Sequence, residues 1–351
     1  AWNNVGADDR TMSELRLDFT TREWVVISTE RARRPDDFAA LGERPPVPGY
    51  SGSCPFCPGN ESQTTTERAV YLDPSTEAWQ VRVIDNKYPA MMRDGGVSRR
   101  QEHPLALALD AVGAHEVVIE TPRHNHYLGM MNDFEAWTVV RAYRDRLVEL
   151  SAIPSVRQVI VFKNHGPSAG TSLEHPHSQI VATPVVPWHR RHSYDVAVRH
   201  FDEYGRNLYQ ELVEFELQEA TRVVRETASF VEIHPYASRR PFETWILPRV
   251  PRSSLGAVPD EELREFAGVM RDALRRIHLG LNNPDYNHVV YTAPAGDECE
   301  PYFSWHMRIY PRLTAVAGFE IGSGIHINTS LPENSAGYMR GIDIGSEMKE
   351  G

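Results

Sequence analysis

Residues 175–182 read HPHSQIVA and residues 304–311 read SWHMRIYP. Laid over one another, they place His306 on His177, Ser304 on His175 and Arg308 on Gln179. Each is a short polar head running into an apolar, strand-like tail. Working outward from both, one order of elements recurs. Ahead of the first stand the strand-like WQVRVIDNKYPAM (79–91) and HEVVIETPRH (115–124), an amphipathic stretch at 131–153, then VRQVIVFKN (156–164) and the Gly-containing loop HGPSAGTS (165–172). Ahead of the second stand SFVEIHPYA (229–237), FETWILP (242–248), a helical stretch at 260–281 and YNHVVYTAP (286–294). Strands are read from β-branched alternation. The helix at 131–153 is read from Phe134, Trp137, Val140, Tyr143, Leu147 and Leu150 near 3.6-residue spacing, with Asn132 or Asp133 as cap. The chain therefore reads as two copies of one α+β unit, the first with its polar residues intact and the second altered. The units are expected at 16–195 and 196–345, after a disordered lead at 1–15. The segment at 185–224 reads as a largely helical connector.

Composition bounds the function. The chain has 351 residues, 41% hydrophobic and 24% charged, enough for a substantial core. No apolar run approaches the ~18 residues that span a bilayer, and the opening AWNNVGADDRTM lacks the cationic flank and apolar stretch of a secretory leader. A net charge of −11 argues against a broad nucleic-acid surface. Three cysteines exclude a disulfide framework and fit a cytoplasmic protein.

Two of those cysteines, Cys54 and Cys57, form C-x-x-C in a Pro- and Gly-rich loop. A redox pair opens a helix after a strand; a pair in such a loop points instead to half of a tetrahedral zinc site. The remaining ligands should be histidines, with His115, His124, His126, His165, His175 and His177 as candidates. Spacing does not choose among them. His175 and His177 lie two apart, so a regular strand would put both on one face, while Pro176 between them can separate their tasks. Neutral imidazole is a nucleophile near pH 7 without a base to deprotonate it, and its phosphorylated form is a good leaving group, which suits reversible transfer. Metal-binding HxH patterns of the cupin kind need a later glutamate, and SQIVATPVV has none.

HPHSQ preceded by VFKNHGPSAGTSLE closely resembles the active-site segment of the galactose-1-phosphate uridylyltransferases, a branch of the histidine-triad superfamily. RARRP, CPFCPGNE, VIDNKYPAM, HEVVIETPRH, PFETWILP, WHMRIYPRLT and GFEIGSGIHIN resemble further blocks of that family, in its order, over roughly residues 15–340. The resemblance implies a duplicated histidine-triad (HIT-like) fold, mainly antiparallel sheets with flanking helices. It implies that His177 attacks the α-phosphorus of a nucleotide sugar and that His175, Cys54, Cys57 and His124 bind a structural Zn2+. Gln179 would donate to the α-phosphoryl oxygen, and Asn164, Gly170 and Ser172 would line the phosphates. Arg31 and Arg34 would meet phosphate, Asn86 the uridine end, and Glu320 the sugar hydroxyls.

Histidine-triad hydrolases place a third histidine where Gln179 stands. Glutamine cannot exchange a proton, which suffices when leaving group and acceptor are both sugar phosphates, with a second pKa of about 6. The implied reaction is ping-pong exchange of UDP-glucose and galactose 1-phosphate for glucose 1-phosphate and UDP-galactose through uridylyl-His177. A phosphorylase using inorganic phosphate, such as ADP-glucose phosphorylase, is the alternative, and a non-catalytic nucleotide-binding protein a third reading. Plant-like relatives acting on ADP-glucose carry a second C-x-x-C, which this chain lacks. The second metal some members bind partly through a later His-x-His is expected to be absent, because His306-Met307-Arg308 stands there. A homodimer is implied, with no nucleic-acid or membrane partner.

Overall fold

The computed structural model describes residues 13–28 and 46–345. Its strands in chain order are β1 (Glu14–Leu17), β2 (Trp24–Ile27), β3 (Glu67–Leu72), β4 (Trp79–Asp85), β5 (Arg99–His103), β6 (Ala106–Leu109), β7 (Ala114–Ile119), β8 (Gln158–His165), β9 (His177–Thr183), β10 (Val223–Glu226), β11 (Phe230–Ile233), β12 (Thr244–Pro248), β13 (Tyr286–Tyr291), β14 (His306–Pro311) and β15 (His326–Asn328). The helices are α1 (Asp133–Ser151), α2 (Trp188–Tyr204), α3 (Leu208–Glu219), α4 (Asp260–Leu281), α5 (Gly318–Ser323) and α6 (Pro332–Arg340). β1 begins at Glu14, inside the stretch expected to be a lead. No helix among the described residues is long and apolar enough to cross a membrane.

Ten strands form one antiparallel sheet in the order β10-β11-β12-β14-β13-β8-β9-β7-β4-β3. The order explains the repeat. Outward from the β8–β13 seam, one side runs β9-β7-β4-β3 and the other β14-β12-β11-β10. Each copy thus supplies five strands and one long helix, and β8 and β13 join them edge to edge, with Asn164 opposite Asn287. The mixed, mainly antiparallel fold and the duplication match the sequence reading. The exposed β5–β6 hairpin and the small sheet β1-β2-β15 lie outside the repeat.

Both long helices face one core. Leu263, Phe266, Ala267, Met270, Ala273, Leu274 and Ile277 recur at helical spacing along α4 and are buried with Val139, Val140, Tyr143 and Leu147 of α1 in a single cluster. That cluster includes Val161 and Ile180 of the first copy and Val290, Met307 and Ile309 of the second. Trp305, just before β14, joins it with no solvent exposure. The two copies therefore share one hydrophobic core. α1 starts in a capping box: Asn132 accepts from the Glu135 amide at 3.0 Å, and Glu135 accepts from the Asn132 amide at 2.8 Å. Glu135 also contacts Arg123 and His126, so the cap ties the helix to the segment that carries His124.

His288 on β13 is fully buried, and neither ring nitrogen has a hydrogen-bond partner among the described residues. Burial pushes it down to about 3, the nearby Glu120 and Lys163 being smaller, opposed influences. A histidine held neutral in the fold but free to charge when unfolded stabilises the protein above its ordinary pKa of about 6.5, and loses that contribution as pH falls below it. Thermal unfolding of His288→Leu should therefore depend less steeply on pH than the parent between about pH 6.5 and 4. Parallel curves would contradict this account of His288.

Candidate active site

The C-x-x-C loop bends sharply. The Cys57 amide donates to the Cys54 carbonyl, and the Phe56 and Ser51 amides donate to the Cys54 and Cys57 sulfurs at 3.4 and 3.3 Å. The segment after β7 brings in His124, and the residues before β9 bring in His175. Cys54, Cys57, His124 and His175 are all buried, with their ligand atoms within 4.8 Å of one another. His175 Nδ1 lies 3.7 Å from Cys54 Sγ, 3.6 Å from Cys57 Sγ and 3.3 Å from His124 Nδ1, and Cys57 Sγ lies 3.4 Å from His124 Nδ1. A tetrahedral ion with bonds of about 2.3 Å to sulfur and about 2.05 Å to nitrogen would set S–N edges of about 3.6 Å and N–N edges of about 3.3 Å. The four donors therefore fit a metal ion. His175 Nε2–H donates to the Thr121 carbonyl at 2.8 Å, which leaves the Nδ1 lone pair facing the group. Burial lowers His175 to about 4, so the ring is neutral and able to ligate. Geometry thus selects His124 over His126, which is engaged by Glu135 and Arg123.

His177 opens β9 two residues later. A carbonyl can only accept, so the 2.8 Å contact of His177 Nδ1 with the His175 carbonyl places the ring proton on Nδ1 and the lone pair on Nε2. Burial pushes the imidazole below its usual range and so favours the neutral form. The Phe56 ring packs edge-on against both His175 and His177, at 5.9 and 5.5 Å between centroids. Behind the strand, Lys163 Nζ donates to the His177 carbonyl at 3.2 Å and to Glu120 at 2.5 Å, both side chains being buried. Burial opposes charge on Glu120, but the Lys163 ammonium and the Ser178 hydroxyl together hold the carboxyl below its usual range. Tyr143 and Ser178 add hydroxyl donors to the same carboxylate.

Two clefts meet at His177, Ser172 and Leu173. One, of about 530 Å³, is lined by Lys163, Asn164, His165 and the loop of residues 171–177. The other, of about 370 Å³, has apolar walls from Phe56, Ile84 and Val117, with Asn86 and Gln179 among its polar groups. Gly170 closes the loop at φ +93°, a conformation that disfavours a side chain. Of the residues singled out from sequence, His177, Gln179, Asn86, Asn164 and Ser172 line these clefts. Arg31 and Arg34 lie outside the described residues. Glu320 lines neither cleft: its carboxylate accepts from the Ala317 and Ile327 amides at 2.9 and 3.2 Å.

No pattern in the sequence signals what His115 does here. Its Nδ1 accepts from the Ala90 amide at 3.0 Å, so its proton sits on Nε2, which donates to Gln179 Oε1 at 2.8 Å. Asn86, held by the Tyr88 amide on its Oδ1, presents its NH2 to the same oxygen at 3.4 Å. With Oε1 committed, Gln179 turns its NH2 outward as a donor. The equivalent site of the second copy is closed. His306 repeats the carbonyl contact, with Nδ1 2.9 Å from Ser304 O, but Arg308 Nε donates to its Nε2 at 3.0 Å. That guanidinium lies 3.6 Å from the Trp245 ring and 4.3 Å from that of Tyr291.

If the Cys2His2 group binds as its edges suggest, the purified chain should carry about one metal ion, and Cys54→Ala should lose most of it by elemental analysis. Equal metal content in the two proteins would contradict the ligand set.

Comparison with known proteins agrees with this geometry. The galactose-1-phosphate uridyl transferase N-terminal domain family matches residues 3–187, and its C-terminal domain family matches residues 192–329. The chain is 35% identical over 336 residues to ADP-glucose phosphorylase of Arabidopsis thaliana, covering 94% of this chain and 93% of the relative. It is 28% identical to the galactose-1-phosphate uridylyltransferase of Thermotoga maritima, covering 95% and 99% of the two chains. The crystal structure of the Arabidopsis thaliana ADP-glucose phosphorylase with bound ADP-glucose superposes with a TM-score of 0.79 at 32% identity, covering 94% of this chain and 99% of that one. With matches along nearly its whole length, the chain belongs to the galactose-1-phosphate uridylyltransferase family, a family of nucleotidyltransferase enzymes.

Proposed function

We propose that the chain is a UDP-glucose–hexose-1-phosphate uridylyltransferase that works through a nucleotidyl-His177 intermediate. The observation that carries this reading is the His177 lone pair: Nδ1 is tied to the His175 carbonyl, and the ring lines both clefts where they meet. In the first step Nε2 attacks the α-phosphorus of UDP-glucose. A P–N bond forms, the P–O bond to the β-phosphate breaks, and glucose 1-phosphate leaves with the electron pair. The ring is then cationic, and its Nδ1–H still donates to the His175 carbonyl. In the second step a phosphate oxygen of galactose 1-phosphate attacks the same phosphorus, and the P–N pair returns to Nε2. Neither step needs a proton at the leaving group, which is why Gln179 suffices as a donor to the α-phosphoryl oxygen. The apolar cleft by Phe56 and Asn86 would take the nucleoside, and the cleft by Asn164 and Ser172 the outer phosphate and sugar.

Cys54, Cys57, His124 and His175 would hold zinc, their two thiolates and two imidazoles being a structural zinc set. Four protein donors close the shell, so the ion would fix His175 and take no part in transfer. The units would divide near residues 195 and 196. A homodimer would put the substrate sites near the subunit boundary, with Arg31 or Arg34 reaching across; exposed Val316, Phe319 and Ile321 around α5 suit such a contact. Three cysteines with no disulfide among them suit the cytoplasm.

The greater likeness to ADP-glucose phosphorylase favours a second reading, in which ADP-glucose is the donor and inorganic phosphate the acceptor. Incubation with UDP-glucose or ADP-glucose labelled at the α-phosphate, without acceptor, separates the two. Acid-labile uridylyl label absent from His177→Asn is the expected result. Adenylyl label on His177 would transfer the reading to the phosphorylase. Binding without label would sink both. His115→Phe, which frees Gln179, should slow labelling by roughly ten- to a hundredfold with nucleotide-sugar affinity kept within about threefold. Labelling at the parental rate would contradict the role given to His115.

A further inference from the structure

Asn164 faces the outer-phosphate cleft with a side chain whose two ends have nearly the same shape and opposite polarity. Only its NH2 end suits an anion. Its partners decide which end that cleft meets. Asn164 lies on β8 at the seam between the copies, directly opposite Asn287 on β13. Asn287 in turn contacts Arg312, whose Nε donates to Asn287 Oδ1 at 2.5 Å. A guanidinium has no acceptor, so this contact fixes the Asn287 carboxamide. Its NH2 must point the other way, and there it donates to Asn164 Oδ1 at 2.8 Å and to the Ala169 carbonyl at 2.9 Å. Asn164 Oδ1 is thereby taken, and Nδ2 remains without a protein partner among the described residues. A Cβ built on Gly170 would lie 3.7 Å from that nitrogen. The glycine therefore leaves open the space that Nδ2 faces.

We infer that Asn287 is a positioning residue of the second copy, which turns Asn164 so that its amide N–H donates to the substrate's phosphate. This deepens the functional reading above and rests on it. The path is a one-way chain of donors: Arg312 to Asn287, Asn287 to Asn164, Asn164 to the anion. Each donor polarises the next, and the chain starts at a fixed positive charge. The same carboxamide holds the loop: with Asn287 on Ala169 O and Asp285 Oδ2 accepting from the Ser168 amide at 2.6 Å, the second copy grips the turn before Ser172. The copy whose own site is closed by Arg308 thus orients the site that remains open.

The test is a reversal of polarity at constant shape. In Asn287→Asp the carboxylate accepts from Arg312 and also from Asn164, so Asn164 should flip and present Oδ1 to the phosphate. Affinity for UDP-glucose and ADP-glucose is measured by calorimetry on the full chain, with thermal unfolding as a check on folding. Asn287→Asp should bind the sugar nucleotide at least roughly tenfold more weakly at a near-parental melting temperature. In an Asn164→Ala background the same change should cost clearly less, because only the hold on the Ala169 carbonyl is left to lose. A through-space effect of the added charge would instead persist in that background and overturn the inference, as would parental affinity in Asn287→Asp. If the aspartate variant does not fold, Asn287→Ala in the two backgrounds makes the same comparison. Failure of the parent protein to bind either nucleotide would overturn the functional reading, and this inference with it.

Discussion

The hydrogen bond from His177 Nδ1 to the His175 carbonyl joins the two functions of the His-Pro-His segment. One residue contributes its ring to a Cys2His2 group and its carbonyl to the next histidine. The second thereby carries its proton on the inner nitrogen and its lone pair on the outer one. Pro176 between them has no N–H to compete, and its carbonyl accepts from the Glu120 amide at 3.1 Å. Glu120 then pairs with Lys163, which holds the His177 carbonyl. A buried ion pair of this kind adds little net stability beyond what apolar packing would give. Its contribution here is position: it holds the first residue of β9 from behind, while the residue two before it belongs to the Cys2His2 group.

Orientation of neutral groups is the recurring device around this centre. The imidazoles of His175, His177 and His115 are each set by a partner that can only accept or only donate. The carboxamides of Gln179 and Asn287 are set in the same way, by Nε2–H of His115 and by the guanidinium of Arg312. None of these contacts brings a new charge to the place where phosphate would lie. In the proposed reaction they would point fixed dipoles at it, at no cost of reorganisation. The duplicated fold allows this, because β8 and β13 meet at its seam and a residue of one copy can steer a residue of the other. In the second copy the same His–carbonyl contact survives at His306, yet Arg308 takes the lone pair.

Much of this was legible in the sequence. The repeat of element order around HPHSQIVA and SWHMRIYP foretold a duplicated α+β unit, and the apolar spacing at 131–153 foretold α1, with Asn132 emerging as its cap. Cys54-Pro-Phe-Cys57 in a Pro- and Gly-rich loop foretold a group able to hold a metal, because two thiols that close need little beyond local chain geometry. The rest depended on contacts between distant residues. Spacing left six histidines as candidate ligands; the family resemblance pointed to His124, and the fold gives the reason, with His124 in the group and His126 on Glu135. His115 read as one of those candidates, whereas it lies on Gln179, 64 residues away in sequence. That the two five-strand sets would fuse at β8 and β13 was invisible, since strand periodicity does not name a partner. The β5–β6 hairpin also escaped notice: Arg99–His103 and Ala106–Leu109 are exposed and lack the one-sided alternation of a half-buried strand.

The most direct test of the account is the tautomer of His177. Nitrogen NMR on the protein labelled with 15N-histidine, assigned by comparison with His177→Asn, reads where the proton sits. A neutral ring is expected at pH 7, with a protonated Nδ1 and a bare Nε2. A proton on Nε2, or a charged ring at that pH, would remove the nucleophile and contradict it.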